Sequence, residues 1–167
     1  MSVTTETIFN YPPEIVYDFV SNPANWGRTY KGSAGIPPDE NLKLPLKVGD
    51  TWTEKVALAE NTYYPTWVLE IAERGRKFAF RSINNIGVAK DGTGGAPGIC
   101  WITYTFTKAG HGLTLFTRNL TVETEKFVHV PDDLMLTMAR PEGIDKYHAA
   151  VEELLDVEQV EHKILKS

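Results

Sequence analysis

The sequence predicts an α+β fold in which a curved sheet wraps around one long C-terminal helix. Segment 132–157 carries an apolar stripe at helical spacing, with charged residues on its other side; the stripe comprises Ile144, Tyr147, Val151, Leu154 and Leu155. Most of the preceding chain alternates between apolar and polar residues as β-strands do. Because a helix with one apolar stripe must pack against another element, the sheet is its simplest partner.

Composition predicts one globular domain over residues 1–167 and restricts its partners. Hydrophobic residues make up 42% of the chain and charged residues 23%, which is ordinary for a soluble protein. The net charge of −5 argues against a nucleic-acid or anionic-membrane partner, which would favour a basic face. No apolar run approaches the roughly 18 residues of a membrane helix, so membrane insertion is not expected.

The cysteine content and the first residues predict a cytoplasmic location. Residues 1–6 lack the basic and apolar regions of a signal peptide. The single cysteine, Cys100, cannot form an internal disulfide and fits a reducing compartment, where it is expected to be a buried apolar filler. The monomer and the homodimer both remain open.

The first third of the chain predicts a strand, a short helix and a long loop. Residues 3–9 form the strand, and Pro12-Pro13-Glu14 opens the helix, since proline is tolerated in a first turn. Ser21-Asn22-Pro23 ends this helix, and one further short helix or turn is possible before Trp26. Residues 32–45 are rich in glycine and proline and hold at most one short strand.

The rest of the chain is predicted to form about six further strands before the C-terminal helix. Residues 51–56 alternate, and the 63–72 and 77–83 segments flank a short turn and form a hairpin. Residues 84–98 are a flexible glycine-rich loop, and two long strands follow at 99–107 and 113–122.

The order of elements, together with residues 11–26, resembles the START-like (SRPBCC) superfamily, which includes polyketide cyclases and dehydrases and pollen-allergen-like proteins. The matching features are the Pro-Glu helix start, the Asn22-Pro23-Ala24-Asn25-Trp26 stop, and the turns at 49–52 and 112–115. The resemblance implies a helix-grip fold: a seven-stranded curved antiparallel sheet around the long helix, one or two short helices after strand 1, and an internal cavity. Its members share no single catalytic set, so no catalytic residue is carried over. Residues 131–143, interrupted by Arg140-Pro141, depart from the family pattern at the cavity mouth.

Glu54 is the first catalytic candidate. It shares a strand face with Trp52 and Val56, which we assign to the interior. A carboxyl group facing an apolar cavity has its charged form disfavoured and its pKa raised, which suits it for proton transfer. The alternative is an ion pair at the sheet rim.

Three further residues are catalytic candidates. Tyr104, in phase with Ile102 and Phe106, offers a phenol inside the pocket, or else a buried hydroxyl bonded to the backbone. Asn119, in phase with Leu113 and Leu115, could orient a ligand carbonyl, or else is a satisfied sheet-edge amide. His148 follows Tyr147 beside the helix stripe and could act as an acid or base, although a structural role is the stronger alternative.

The predicted cavity wall is aromatic and apolar. Its predicted ligand-binding residues are Trp26, Tyr30, Trp52, Trp67, Phe80, Phe106, Thr117, Met135, Met138, Tyr147 and Val151. Arg118, on the opposite phase to Thr117, is expected to be external.

Cofactors and metals are not predicted. The four histidines do not form metal-binding spacings. The glycine-rich segment 92–98 lacks the Gly-Lys-Ser/Thr of a phosphate loop, and a strand rather than a helix follows it.

These features favour a cofactor-independent cyclase, dehydratase or isomerase acting on a hydrophobic or aromatic, polyketide- or terpenoid-like metabolite, the reaction class being what the resemblance implies. The alternatives are a non-catalytic carrier or sensor of a small hydrophobic ligand, and a protein-interaction module of the chaperone co-activator kind. The pocket would fold the substrate and exclude water while Glu54 moves a proton.

Overall fold

The main sheet of the protein is antiparallel. A computed structural model describes residues 1–30, 32–58, 60–125, 128–130, 132 and 143–165. The strands of the sheet are β1 (Ser2–Phe9), β2 (Thr51–Thr53), β5 (Thr66–Glu73), β6 (Lys77–Ser82), β7 (Gly98–Gly110) and β8 (Leu113–Thr124). They pair in the order β1-β8-β7-β6-β5-β2. A separate hairpin comprises β3 (Val56–Leu58) and β4 (Asn61–Tyr63). The α+β class and the hairpin between β5 and β6 are as predicted.

The predicted count of seven strands in one sheet differs from the six that the described residues form. The interruption falls at two places, Glu54-Lys55 and Tyr64-Pro65, which separate β2 from β3 and β4 from β5. Proline has no N–H to donate to a neighbouring strand. The carbonyl of Pro65 still accepts from the Glu54 N–H at 3.0 Å. This hydrogen bond joins the two segments that link the main sheet to the hairpin.

The helices lie on one side of this sheet. α1 (Pro13–Val20) buries Val16, Phe19 and Val20, and a 3-10 turn (Pro23–Asn25) leads into α2 (Trp26–Thr29). The carboxamide of Asn22 caps the turn by accepting from the Ala24 N–H at 3.0 Å. The chain therefore follows the predicted strand, helix and turn in order.

The long helix, α3 (Ile144–Ile164), packs its predicted stripe against the sheet. Val151 and Leu155 are fully buried, while Tyr147 and Leu154 are half-buried against the core. Polar contacts also hold α3 to the start of the chain, because Glu152 accepts from the backbone N–H of Asn10 at 2.7 Å. The predicted helix began at 132; residues 133–142 lie outside the described residues.

Aromatic side chains fill the space between α1, α2 and the sheet. The ring of Phe80 lies 5.2 Å from Trp26, 5.4 Å from Trp52 and 5.1 Å from Trp67, measured between centroids. All four side chains are at most 5% exposed. The interior is therefore solid at this position, and any space for a ligand must lie beyond it.

Among the described residues, no helix combines the length and the apolar character that crossing a membrane requires.

Candidate ligand cavity

A cavity of about 90 Å³ lies beside the aromatic core, between the sheet and the β3–β4 hairpin. The described residues that line it are Tyr30, Glu54, Val56, Tyr63, Pro65, Trp67, Ser82, Asn85, Ile86, Gly87, Cys100, Ile102, Arg118 and Leu120. Most of these groups are apolar, and a few polar groups converge on the space, which is the general form of a small-molecule site. The volume is below the roughly 300–1,000 Å³ of sites for drug-sized ligands.

Glu54 lines this cavity and is 5% exposed. The end of β2 positions it, since Trp52 and Glu54 alternate onto the inner side of the sheet. The indole Nε1 of Trp67, on the neighbouring strand β5, donates to Glu54 Oε2 at 3.0 Å. The predicted inward orientation of Glu54 is confirmed; its catalytic role stays a prediction.

Burial raises the pKa of Glu54 above its ordinary value, because the cavity wall solvates a carboxylate poorly. Hydrogen bonds from Ser33 and Trp67 and the positive charge of Arg118 oppose this shift, yet the direction remains upward. The carboxyl group therefore keeps its proton to a higher pH than an exposed glutamate does, which favours its use as a general acid.

Arg118 is the main correction to the predicted site. It was expected to be external, but it faces the interior and lines the cavity with Glu54. In β8 the inward residues are Thr114, Phe116, Arg118 and Leu120, so the predicted phase of this strand is wrong. The prediction relied on Leu113 and Leu115, whereas Thr114 is tolerated inside because its hydroxyl donates to the carbonyl of Tyr11 at 2.7 Å.

Two aromatic side chains hold the Arg118 guanidinium. Its Cζ lies 5.3 Å from the ring centroid of Tyr30, within the range of a cation–π interaction. Arg118 also donates a hydrogen bond to the Tyr104 phenol, which acts to lower the pKa of Tyr104, although burial is the largest effect and raises it. Tyr104 is inward-facing as predicted and 7% exposed, and it supports Arg118 rather than lining the cavity.

Asn119 and Thr117 lie on the outer face of β8, so their predicted inward orientation is wrong. The Asn119 amide donates to the hydroxyls of Ser2 at 3.0 Å and Thr4 at 2.9 Å. The Thr117 hydroxyl donates to Glu6 Oε1 at 3.1 Å. Both residues cross-link β8 to β1, because the strand phase that brings Arg118 inward turns them outward.

We expect Asn119→Ala to leave ligand binding unchanged, because its amide cannot reach the cavity. The lost hydrogen bonds are solvent-exposed, so the free energy of unfolding should fall by no more than about 1.5 kcal/mol. Urea denaturation and a ligand titration on the same variant measure the two quantities. A weakened ligand affinity with unchanged stability would contradict the outward placement.

His148 also lies away from the cavity, beside β1. Its Nδ1 is 2.9 Å from the Thr7 hydroxyl, and its ring stacks on Phe9 with a centroid distance of 5.2 Å. Nε2 lies 3.4 Å from Glu152, one turn along the helix. The histidine therefore joins α3 to β1, and the predicted catalytic placement is not supported, because the helix stripe turns this residue toward the sheet edge.

The predicted ligand-binding residues divide between cavity and core. Tyr30 and Trp67 line the cavity. Those packed in the core are Trp26, Trp52, Phe80, Phe106, Tyr147 and Val151. These side chains pack in the core, so they do not line the described cavity. Met135 and Met138 lie outside the described residues.

The cavity residues outside the predicted ligand-binding set come mainly from strand ends and the hairpin. Val56, Pro65 and Leu120 supply apolar wall, and Ser82 supplies a hydroxyl that accepts from the Cys100 N–H at 2.9 Å. Cys100 is buried as predicted, and burial raises its pKa to about 12, so its thiol stays protonated. The described residues contain no group of three or more His, Cys, Asp and Glu side chains placed to hold a metal ion.

Solved structures resemble this architecture along most of the chain. The aromatase/cyclase Zhui from a Streptomyces species is 13% identical, with 93% of each chain covered and a TM-score of 0.64. A START superfamily protein from Mycobacterium smegmatis is 12% identical, covering 93% of this chain and 97% of that one, with a TM-score of 0.64. Ara h 8.0201 is 12% identical over 93% of this chain and 97% of its own, with a TM-score of 0.62.

The chain therefore has the helix-grip fold of START-like proteins, as the sequence resemblance implied. No family model matches the sequence, and no curated protein matches it closely. At these identities the likeness establishes the fold, and the chemistry must be argued from the cavity.

Proposed function

We propose that this protein binds a small, largely apolar ligand in the cavity and moves a proton on it without a cofactor, as a dehydratase, cyclase or isomerase does. The observation that carries the proposal is Glu54, a carboxyl group buried in an apolar wall and directed at the cavity. Acidic residues are rarely buried without a specific partner or purpose. The fold likeness to an aromatase/cyclase is consistent with this class of reaction.

The proposed chemistry uses both protonation states of Glu54. With its pKa raised by burial, the neutral carboxyl donates a proton to a ligand oxygen, and the carboxylate so formed removes one from carbon. The hydrogen bond from Trp67 fixes the direction of the carboxyl group. Such positioning restricts the ligand to a reactive geometry and contributes to the rate.

The size of the cavity limits the ligand. About 90 Å³ is well below the roughly 300–1,000 Å³ of sites for drug-sized ligands. We therefore propose a ligand whose enclosed part is no larger than one ring, in place of the extended polyketide- or terpenoid-like chain that the sequence suggested.

Solvent deuterium exchange tests the proposal with enolisable single-ring ketones, one neutral (phenylacetone) and one anionic (phenylpyruvate). We expect the wild type to accelerate exchange of the α-protons of at least one of them, measured by proton NMR. Glu54→Gln should slow that exchange by about 10²–10⁴-fold while ligand binding persists.

The matched control is Glu70→Gln. Glu70 also lies on the sheet but forms an ion pair with Arg81 at 2.6 Å, away from the cavity wall, so exchange should be unchanged. Equal exchange by wild type and Glu54→Gln would remove Glu54 from the mechanism. Binding without any exchange would instead support a carrier.

A further inference from the structure

We infer that the ligand of this cavity is a small organic carboxylate, whose anionic group pairs with Arg118 while its apolar part contacts the opposite wall. This inference rests on the proposed function only in taking the cavity as the binding site. It adds the charge and the chemical class of the ligand, and it assigns the recognition of that charge to one residue.

The charge on the cavity wall favours an anionic ligand. Of the described residues that line it, only Glu54 and Arg118 carry side chains that can be charged near neutral pH. A guanidinium is permanently protonated in proteins, whereas burial favours the neutral form of Glu54. When Glu54 holds its proton, the cavity wall carries one uncompensated positive charge.

Arg118 forms no ion pair with the part of the chain that the structure describes. The ion pairs between described residues join Arg74 to Asp18, Arg76 to Glu73, Arg81 to Glu70 and His148 to Glu152. Arg118 is in none of them, and its described contacts are the aromatic residues Tyr30 and Tyr104. A partly buried cation with no ion-pair partner among the described residues is costly while Glu54 is neutral, and an anionic ligand would remove that cost.

The shape of the Arg118 guanidinium also suits a carboxylate. A carboxylate accepts two parallel N–H···O bonds from a guanidinium, which gives direction as well as affinity. Tyr30 and Tyr104 restrain the Arg118 head, so little side-chain freedom is lost when the ligand binds. The apolar part of the cavity wall includes Val56, Pro65 and Leu120, which suits a hydrocarbon body attached to the carboxylate.

Glu54 links this recognition to the proposed chemistry. A carboxylate bound beside Arg118 offsets the positive charge that lowers the pKa of Glu54, so Glu54 should hold its proton more firmly in the complex. A ligand with this charge therefore favours the acid form of the proposed catalyst. The protonated Glu54 side chain carries no negative charge, so it does not repel the bound anion.

Benzoate and its neutral isostere benzamide test the inference, with dissociation constants from NMR titration of the labelled protein at pH 7. We expect the wild type to bind benzoate about 10- to 100-fold more tightly than benzamide, as a charge-assisted hydrogen bond predicts. Arg118→Met should abolish the preference, and Glu54→Gln should retain it. Arg118→Lys, which keeps the charge without the planar fork, should retain only part of it.

Arg81→Met is the matched control, since Arg81 lies on the same sheet and pairs with Glu70 outside the cavity wall; the preference should be unchanged. Benzamide binding as tightly as benzoate in the wild type would overturn the carboxylate inference and leave the proposed cavity intact. A benzoate preference that survives in Arg118→Met would overturn the role of Arg118. If the wild type binds neither probe, the carboxylate inference fails, whereas the proposed function is decided separately by the deuterium-exchange experiment.

Discussion

Phe80→Ala is expected to lower the free energy of unfolding by about 3–5 kcal/mol, the usual cost of truncating a buried phenylalanine. Phe80 is fully buried and contacts aromatic rings on several elements. The surrounding indoles are too large and too constrained to collapse into the vacated space. The variant should therefore retain a cavity at the centre of the core.

Urea denaturation followed by tryptophan fluorescence measures this effect. Ile83→Ala is a suitable control, because Ile83 directly follows β6, the strand that contains Phe80, yet is 52% exposed and should change stability by at most about 0.5 kcal/mol. A loss near 1 kcal/mol for Phe80→Ala, accompanied by weaker ligand binding, would contradict its placement in the core and restore it to the cavity wall.

Glu54→Gln is expected to make the protein progressively more stable than the wild type as the pH rises above the ordinary glutamate pKa of 4.5. Burial raises the folded-state pKa of Glu54, so the folded protein keeps a proton that the unfolded chain has already released. The resulting stabilisation is complete below 4.5 and is lost as pH rises through the folded-state pKa. Glutamine cannot ionise and escapes this loss.

The measurement is the difference between the unfolding free energies of the two proteins at pH values between 4 and 8. Titrations of all other groups are common to both proteins, so they largely cancel in the difference. A difference that stays constant over this range would show that folding does not shift the pKa of Glu54. A difference that shrinks as the pH rises would show that the carboxylate is stabilised in the folded state.

Regular alternation was enough to predict most of the fold. Ile102, Tyr104 and Phe106 alternate without interruption along β7, and their inward orientation is confirmed. The stripe on α3 likewise predicted the buried positions Val151 and Leu155. In these elements hydrophobic burial alone determines the orientation, so a single sequence carries the information.

The β8 strand shows where this reasoning fails. Its inner face contains Thr114 and Arg118, while Leu113 and Leu115 lie outward and half-buried, so apolar content favours the wrong phase. A hydroxyl bonded to the carbonyl of Tyr11 and a guanidinium over the ring of Tyr30 make the polar inner face possible. Both interactions join residues far apart in sequence, so the strand pattern could not reveal them.

The aromatic residues of the candidate site illustrate a second limit. Trp26, Trp52 and Phe80 were all predicted to line the cavity wall. They are buried, but they fill the interior instead of lining the described cavity. Periodicity predicts which side of a strand is buried, but not whether that side meets another side chain or a space. Glu54 could be singled out because a buried carboxylate is uncommon.

The most direct test of the account is the titration of the Glu54 carboxyl carbon by ¹³C NMR, assigned by comparison with Glu54→Gln. We expect a midpoint above 4.5, because burial is the dominant influence on this group, and a further upward shift in Arg118→Met, which removes a charge that lowers the pKa. A midpoint at 4.5 would mean that burial does not raise the pKa of Glu54, and a midpoint below 4.5 would mean that the folded protein stabilises the carboxylate. The proposed acid–base role would fail in either case.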